Sequence, residues 1–415
     1  MPSRPLLSIV IPTRNRSKYA ASAIRNILEI SDPALELVVH DNSDTRELAI
    51  YVDEHFADPR LRYRYVGIPL SLIDNFSAAL ELASGEYLCM IGDDDGVNPE
   101  IVDAARWAQR ERLDSLAIRS VANYLWEGTG VPSTFFTEVV GSSLTIADFR
   151  GSVRPTTPNE EIVKLMRQGG VYYLDYDLPK LYHGLVHRSR MWEIKEKTGA
   201  FFGGLSPDIF ASLAIACVAK RVMVTEYPLT IPGASKTSGS VIEGGLRQHS
   251  KKLEDAHHLR GRQGYEWSEL VPRVYTPETI WADSGIAALR AMGREDLVSE
   301  LNIPKLGAFC VAANRGVTHI VLREVLKASR VQGTSSVSAL LAFAVSMITG
   351  PGVKFARRVW NRLLLMSRVR VIRRIEGLEN IVAASHALTD VLSTNGLKFS
   401  PLSIREHQIS ALPRS

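Results

Sequence analysis

Tyr87-Leu88-Cys89-Met90-Ile91-Gly92-Asp93-Asp94-Asp95-Gly96 is an apolar run that ends abruptly in three adjacent carboxylates. Five apolar residues suit a strand buried on both faces, and the carboxyl end of such a strand is where doubly wound sheets hold their ligands. Neighbouring carboxylates repel one another, a cost that a divalent cation or a set of hydrogen-bond donors relieves. An Asp-x-Asp pair at a strand end also suits a hard cation that holds phosphate oxygens. The bland reading is an acidic solvated turn, because Asp and Gly are ordinary turn formers.

Working outward, the chain before this run alternates strand and helix. Leu6 to Ile11 is an apolar run stopped by Pro12; Ser17 to Glu29 has helical spacing with Ser17 as its expected N-cap. Leu35 to Val39 reads as a strand ending at His40-Asp41-Asn42-Ser43, Leu61 to Val66 as another, and Leu72 to Ala83 as a helix closed near Gly85. Asn98-Pro99-Glu100 signals the next helix start. This alternation predicts an α/β fold with a doubly wound sheet.

From Val131 to Gln168 the pattern weakens into Pro, Thr and Ser, as in a long excursion over a binding surface. Strand and helix signals return at His183 to Val186, Pro207 to Lys220 and Arg221 to Thr225, before a Gly/Ser-rich loop from Pro232 to Gly245. Beyond about residue 250 only helical spacing is read, through Ile280 to Met292, Val317 to Lys327 and Ile381 to Leu392. The expected organisation is an α/β domain over 1–245, divided into halves 1–112 and 113–245, and a mainly helical C-terminal domain over 246–415.

Composition narrows the function. With 45% hydrophobic and 23% charged residues in 415, wholesale disorder and fibrous repeats are excluded. Three cysteines, Cys89, Cys217 and Cys310, support neither a disulfide framework nor a thiolate zinc site, and a reducing cytoplasm fits. The longest uncharged apolar stretch, Val337 to Thr349, falls short of the ~20 residues that span a bilayer, so no spanning helix is expected. Net charge is +4, yet Lys354 to Arg374 holds eight basic residues and no acid, leaving −4 for the rest. That concentration argues against a nucleic-acid enzyme. No Gly-x-Gly-x-x-Gly follows the first strand, no phosphate-binding Gly-x-x-x-x-Gly-Lys-Ser/Thr occurs, and Gly233-Ala234-Ser235-Lys236-Thr237 lacks the glycine that would complete one.

Ser8 to Arg16, Val39 to Ser43, Asn75-Phe76 through Ala83-Ser84-Gly85-Glu86-Tyr87, and the Asp triplet stand in the order and spacing of the family 2 glycosyltransferases of the GT-A fold. The chain resembles that family over roughly residues 5 to 235. Gly203-Gly204-Leu205-Ser206-Pro207-Asp208-Ile209-Phe210 is similar to the family's acceptor-side motif, with Pro207 where many relatives carry Glu. The resemblance implies that Pro12 and Thr13 line a nucleotide base and that Asp41 accepts the imide N–H of a pyrimidine, as a carboxylate can do for uracil or thymine. It gives Asp94 the ribose, Asp93 and Asp95 a Mn2+ or Mg2+ ion, and Asp208 the role of catalytic base in an inverting transfer. Some relatives carry an extra metal ligand just beyond the flexible loop, where His249 stands; His183 and His187, flanking a strand, read as structural.

The expectation is therefore a GT-A nucleotide-sugar-binding domain that transfers a sugar from a UDP- or dTDP-sugar donor to a saccharide or lipid-linked acceptor. Two alternatives stand beside it. A sugar-1-phosphate nucleotidyltransferase would need a Gly-rich basic signature after the first strand, where this chain has Thr13-Arg14-Asn15-Arg16; a degenerate transferase serving as an assembly or membrane-binding module would be free to lose the triplet or Asp208, and both are present. Over Lys354 to Met366, Phe355, Val359, Leu363 and Met366 share one helical face while Lys354, Arg357 and Arg358 share the other, just downstream of an apolar run that ends at Gly350-Pro351-Gly352. The segment 337–374 thus suggests a peripheral seat on an anionic membrane surface at the inner face, with ordinary helical packing as its competitor.

Overall fold

A computed structural model of the chain describes residues 4–130, 133, 139–149, 151–236, 238, 253–255, 257–259, 262–366 and 372–401. Its centre is an eight-stranded sheet. Strands β1 (Leu7–Thr13), β2 (Leu35–Asp41), β3 (Leu61–Tyr65) and β4 (Tyr87–Met90) run parallel in the order β3-β2-β1-β4. Beyond β4 the sheet becomes mixed. Antiparallel β10 (Gly184–His187) joins β4 to β6 (Ser115–Ile118), followed by β11 (Val222–Thr225) and edge strand β9 (Val153–Pro155).

Successive strand residues point to opposite faces, and each face has its own core. Val10, Val38, Leu88, Met90 and Val186 pack with the helices α3 (Leu72–Leu82), α5 (Pro158–Arg167), α6 (Arg188–Thr198) and α7 (Pro207–Val218). Ile9, Ile11, Leu37, Val39, Cys89 and Ile91 turn the other way, onto α1 (Ser17–Leu28), α4 (Ile101–Arg110) and the late helix α14 (Ile381–Thr394). Burying each such Ile, Leu or Val contributes roughly 1.5–3 kcal/mol, so these two-sided strands hold the sheet as well as its loops.

The sequence reading needs correction at four places. The residue at the N-cap of α1 is Arg16, with no side-chain capping bond, and Ser17 is already helical. The described residues of the 131–168 excursion are ordered into β8 (Ser143–Ala147), β9 and α5. A strand lies beyond residue 250: β14 (Ile372–Ile375) pairs with β8 in a four-stranded sheet with β7 (Ala122–Leu125) and β13 (Gly233–Ala234). From there the chain returns to the first core, where the Ser385 hydroxyl donates to the Val97 carbonyl at 2.9 Å. The boundary expected near 245 falls outside the described residues.

The fourth correction concerns α12 (Ser336–Met347) and α13 (Val353–Met366). They do not break at Gly350-Pro351-Gly352 but join through a π-turn, Ile348–Gly352, that accommodates the missing N–H of Pro351. The resulting helix, Ser336–Trp360, has 25 residues and is long and apolar enough by length and composition to cross a membrane, which the uncharged stretch alone did not suggest. Ala339 packs inward, as does Phe343, against α10 (Ile303–Ala313) and α11 (Thr318–Val331). Val337, Leu341, Ile348, Phe355 and Trp360 face out, 57% to 72% exposed. Lys354 on the basic side folds back over the Tyr172 ring and lies 3.8 Å from Asp175 Oδ2. The apolar side of this helix is thus the solvent side. Residues 367–371, and the side chains of Leu363 and Met366, lie outside what is described.

Candidate functional site

The carboxyl ends of β1, β2 and β4 converge because the three strands are in register, Thr13 pairing with Asp41 and Val10 with Met90. Asn15, in the left-handed region at φ 57, turns the chain after β1 so that its N–H donates to Ser43 Oγ at 2.7 Å and ties the two loops together. Pro12 is buried. Thr13 is 2% exposed and its hydroxyl donates to Asp93 Oδ2 at 2.6 Å. Asp41 is fully buried; its Oδ1 accepts from the Ser43 N–H at 2.9 Å and its Oδ2 from the Tyr63 hydroxyl at 2.6 Å. These side chains form the floor of the strand-end cleft. Asn75 on α3 stitches it together, its amide Nδ2 donating to the Thr13 carbonyl at 3.2 Å while its Oδ1 lies 2.6 Å from His40 Nδ1.

The three carboxylates are buried and held differently. Asp93 Oδ1 accepts from Arg16 Nε at 2.6 Å, and burial together with repulsion from Asp94 pushes its pKa up to about 7 against the pull of Arg16. Asp94 is also raised, by burial and by the Asp95 charge. Its Oδ2 lies 2.7 Å from Arg16 Nη2 and accepts from the Ser235 hydroxyl at 2.7 Å, while its carbonyl accepts from the Trp126 indole at 2.9 Å. Burial would raise Asp95 too, but the adjacent His183 and two backbone N–H groups hold it below the ordinary range. Oδ1 of Asp95 accepts from the Gly233 N–H at 2.6 Å; Oδ2 accepts from the Gly92 N–H at 2.6 Å and the Tyr182 hydroxyl at 3.1 Å, with His183 Nε2 at 3.0 Å.

A loop far along the sequence closes over this cluster. Gly233 stands so near the triplet that a Cβ there would lie 1.8 Å from the Asp94 carbonyl oxygen, which no side chain can do. Glycine is required for that approach. Ser235, two residues on, meets both Asp94 and Arg16. Gly233 and Ser235 are therefore part of the site, although the phosphate-loop pattern around them is incomplete.

On the other side, Asp208 sits in the first turn of α7, after Pro207, where the helix dipole favours a carboxylate. The preceding loop is fixed by Ser284 on α8 (Pro277–Ala291), whose hydroxyl oxygen accepts from the N–H groups of Leu205 and Ser206 at 3.0 and 2.9 Å. The Tyr173 hydroxyl donates to Asp208 Oδ2 at 3.4 Å. Tyr182 links the halves: burial and the charges of Asp95, Asp94 and Asp208 all drive its pKa well up. Tyr182 thus neighbours both the carboxylate triplet and Asp208.

Of the residues singled out from sequence, Thr13 bonds directly to Asp93, Arg16 joins Asp93 to Asp94, Asp95 follows in the chain, and Pro12 and Asp41 lie beside Thr13 at the strand ends. Asp208 lies near Tyr182, which bonds to Asp95; His249 lies outside the described residues. Arg16, Tyr182, His183, Gly233, Ser235 and Tyr173 were missed or read as structural. Only Gly233 and Ser235 carried a local signal, the incomplete loop motif. The triplet or Asp208 partners of the others are 35 to 88 residues away.

Residues 8–134 match the family model described as Glycosyl transferase family 2. The chain is 31% identical over 130 residues, 31% of its length, to the putative colanic acid biosynthesis glycosyl transferase WcaA of Escherichia coli (strain K12), covering 46% of that protein. It is 30% identical over 103 residues, 24% of its length, to chondroitin synthase of Escherichia coli, covering 14% of that protein. The chain spans less than half the length of these curated relatives. Among solved structures, S. aureus TarS 1-349 in complex with UDP-GlcNAc aligns over 95% of this chain and 93% of that one at 16% identity and TM-score 0.44. Mannosyltransferase PcManGT from Pyrobaculum calidifontis, in complex with GDP-Man and Mn2+, aligns over 83% and 88% at 14% identity and TM-score 0.39. Residues 8–134, which hold most of β1 and all of β2 to β4 with the acidic triplet on a mixed α/β sheet, are thus the part of the chain that is similar to glycosyl transferase family 2.

Proposed function

We propose that the chain is an inverting glycosyltransferase that moves a sugar from a nucleotide diphosphate sugar to an acceptor hydroxyl in polysaccharide synthesis. The observation that carries this reading is a buried carboxylate triplet at the carboxyl end of β4, with Tyr182 beside both it and Asp208 at a helix start. The two curated relatives, whose names speak of colanic acid biosynthesis and chondroitin synthesis, support the polysaccharide part. Asp208 takes the proton of the acceptor hydroxyl as its oxygen bonds to the anomeric carbon. The bond from that carbon to the diphosphate breaks on the opposite face, and the nucleoside diphosphate leaves with the electron pair. A weak carboxylate base suffices because the hydroxyl becomes acidic only as the new bond forms. Tyr173 orients Asp208, and Asp94 holds the ribose.

Mn2+ or Mg2+, implied by the family, does not fit the triplet as it is arranged. Asp95 Oδ2 already meets three donors and Oδ1 the Gly233 N–H, while Arg16 bridges Asp93 and Asp94 where a cation would sit.

The donor base is read at Asp41, which favours an imide N–H. A thermal-shift panel of UDP, dTDP, CDP, GDP and ADP, with and without Mn2+, tests this reading: UDP and dTDP should raise the melting temperature most. A preference for CDP over UDP removes the Asp41 assignment, and no response to any nucleotide removes the transferase reading.

The acceptor, a saccharide or lipid-linked saccharide, is met at an anionic membrane surface on the cytoplasmic side. The outward apolar face of Ser336–Trp360, carried beside Arg357 and Arg358, supports this, as does the contact of Lys354 with Tyr172, the neighbour of Tyr173 at Asp208. Basic residues near a charged leaflet contribute ~1 kcal/mol each. Sedimentation with anionic vesicles should exceed that with neutral ones and should fall with salt and in Arg357→Gln/Arg358→Gln. Equal recovery on both vesicle types ends the electrostatic part; no recovery on either ends the membrane role.

A further inference from the structure

We infer that the guanidinium of Arg16 supplies from within the chain the positive charge that a divalent cation would otherwise bring to Asp93 and Asp94, so that a nucleoside diphosphate binds here without metal. The inference rests on the reading of this cleft as a nucleotide-sugar site. Its basis is geometric. Arg16 Nε donates to Asp93 Oδ1 at 2.6 Å, Nη2 lies 2.7 Å from Asp94 Oδ2, and the same nitrogen donates to Ser235 Oγ at 2.8 Å. The side chain is 13% exposed, with its guanidinium carbon 5.0 Å from the centre of the Tyr19 ring. A planar fork that spans two carboxylates is a geometry that arginine provides and a point charge does not.

Local structure puts this charge in place. Arg16 is the residue at which the chain leaves the β1 loop and enters α1, so its backbone is fixed at the strand end while its side chain crosses to the neighbouring β4 loop. A cation tethered in this way acts at a high effective concentration. Any ion that entered between Asp93 and Asp94 would have to expel it and leave a buried guanidinium without its carboxylates.

Asp95 is held as well: Oδ2 meets three donors, and each of its oxygens accepts a backbone N–H that cannot swing away. His183 adds an independent sign that this corner is built around its carboxylate. Its backbone lies in the left-handed region at φ 57, and its Nδ1 is buried without a hydrogen-bond partner, while its Nε2 faces Asp95. Such strain and such an orphaned nitrogen persist where the surroundings impose them. The triplet thus carries its own counter-charges, Arg16 at Asp93 and Asp94, and donors at Asp95.

The experiment is calorimetric titration of the whole chain with UDP, once in EDTA and once with 5 mM Mn2+, alongside electron paramagnetic resonance of free Mn2+ as a direct count of bound ion. The wild-type protein should bind UDP with Kd values within about threefold of each other in the two buffers, and should take up little Mn2+ on its own. Arg16→Gln, which leaves Asp93 and Asp94 uncompensated, should weaken UDP binding at least tenfold in EDTA, regain it with Mn2+, and bind Mn2+ more tightly than wild type. Arg16→Lys should fall between. Wild-type binding that is tenfold tighter with Mn2+ overturns the inference without any variant, and it leaves the nucleotide reading standing. If neither UDP nor GDP, CDP, dTDP or ADP binds in either buffer, the nucleotide reading fails and this inference fails with it.

Discussion

Asp208→Asn should lower kcat by about 100-fold or more while changing nucleotide affinity by less than about threefold. The asymmetry follows from placement. Asp208 acts electrostatically on Tyr182, which hydrogen-bonds to Asp95, and at the start of α7 it accepts from the Tyr173 hydroxyl. The contacts that hold Asp93, Asp94 and Gly233 come from Thr13, Arg16, Ser235 and Asp95. An amide of the same shape can still accept from Tyr173 and sit at the start of α7, so the fold should survive; what it cannot do is take the acceptor proton. Steady-state kinetics with UDP titration in parallel reads both quantities. An equal loss of affinity and rate would mean that Asp208 positions the donor and that the base lies elsewhere.

Asp95→Asn should be destabilising as well as inactivating. Oδ1 and Oδ2 of Asp95 each accept a backbone N–H, from Gly233 and from Gly92. Whichever way an asparagine amide turns, its own NH2 must point at one of these donors. A buried unmatched donor costs about 1–3 kcal/mol, and losing the charge beside His183 adds to it. With roughly 2–4 °C lost per kcal/mol in a large domain, the melting temperature should fall by about 5–10 °C. The Gly233 to Ser235 loop should loosen at the same time, taking nucleotide binding with it. Scanning calorimetry decides: unfolding at the wild-type temperature would show that the carboxylate is not what holds this corner together.

The α/β half was legible because its strands are short apolar runs ended by Pro12, His40-Asp41 or the Asp triplet, and buried parallel strands need little else. Asp208 was legible for a related reason, since Ser206-Pro207-Asp208 is itself a helix start. What escaped is what depends on distant partners. Arg16 looks like any surface arginine after a strand until Asp93 is placed opposite, 77 residues later. His183 reads as a strand-flanking histidine, and nothing local announces its left-handed backbone. Ile372-Arg373-Arg374-Ile375 passes as part of a basic helix because its partner strand, Ser143–Ala147, lies more than 200 residues upstream. Gly350-Pro351-Gly352 misled in the opposite sense: a breaker by composition, it is carried through as a π-turn because Gly350 is buried against Phe309.

The return of the chain after α13 sets the timing of folding on the ribosome. Ile381 lies against Gly96, directly after the Asp triplet, so closely that a Cβ on that glycine would be 2.6 Å from it. Asn26 on α1 accepts from the Val97 N–H, and Ser385 donates to the Val97 carbonyl, so one short strand is gripped from both ends of the polypeptide. During synthesis the sheet β1 to β4 can form once its first hundred or so residues have emerged, but the wall behind the triplet stays open to water until residues near 385 leave the exit tunnel. A nascent chain halted before that point would expose Ile11, Val97 and Ile101 to whatever else is in the cell, and would depend on a chaperone to keep that surface covered.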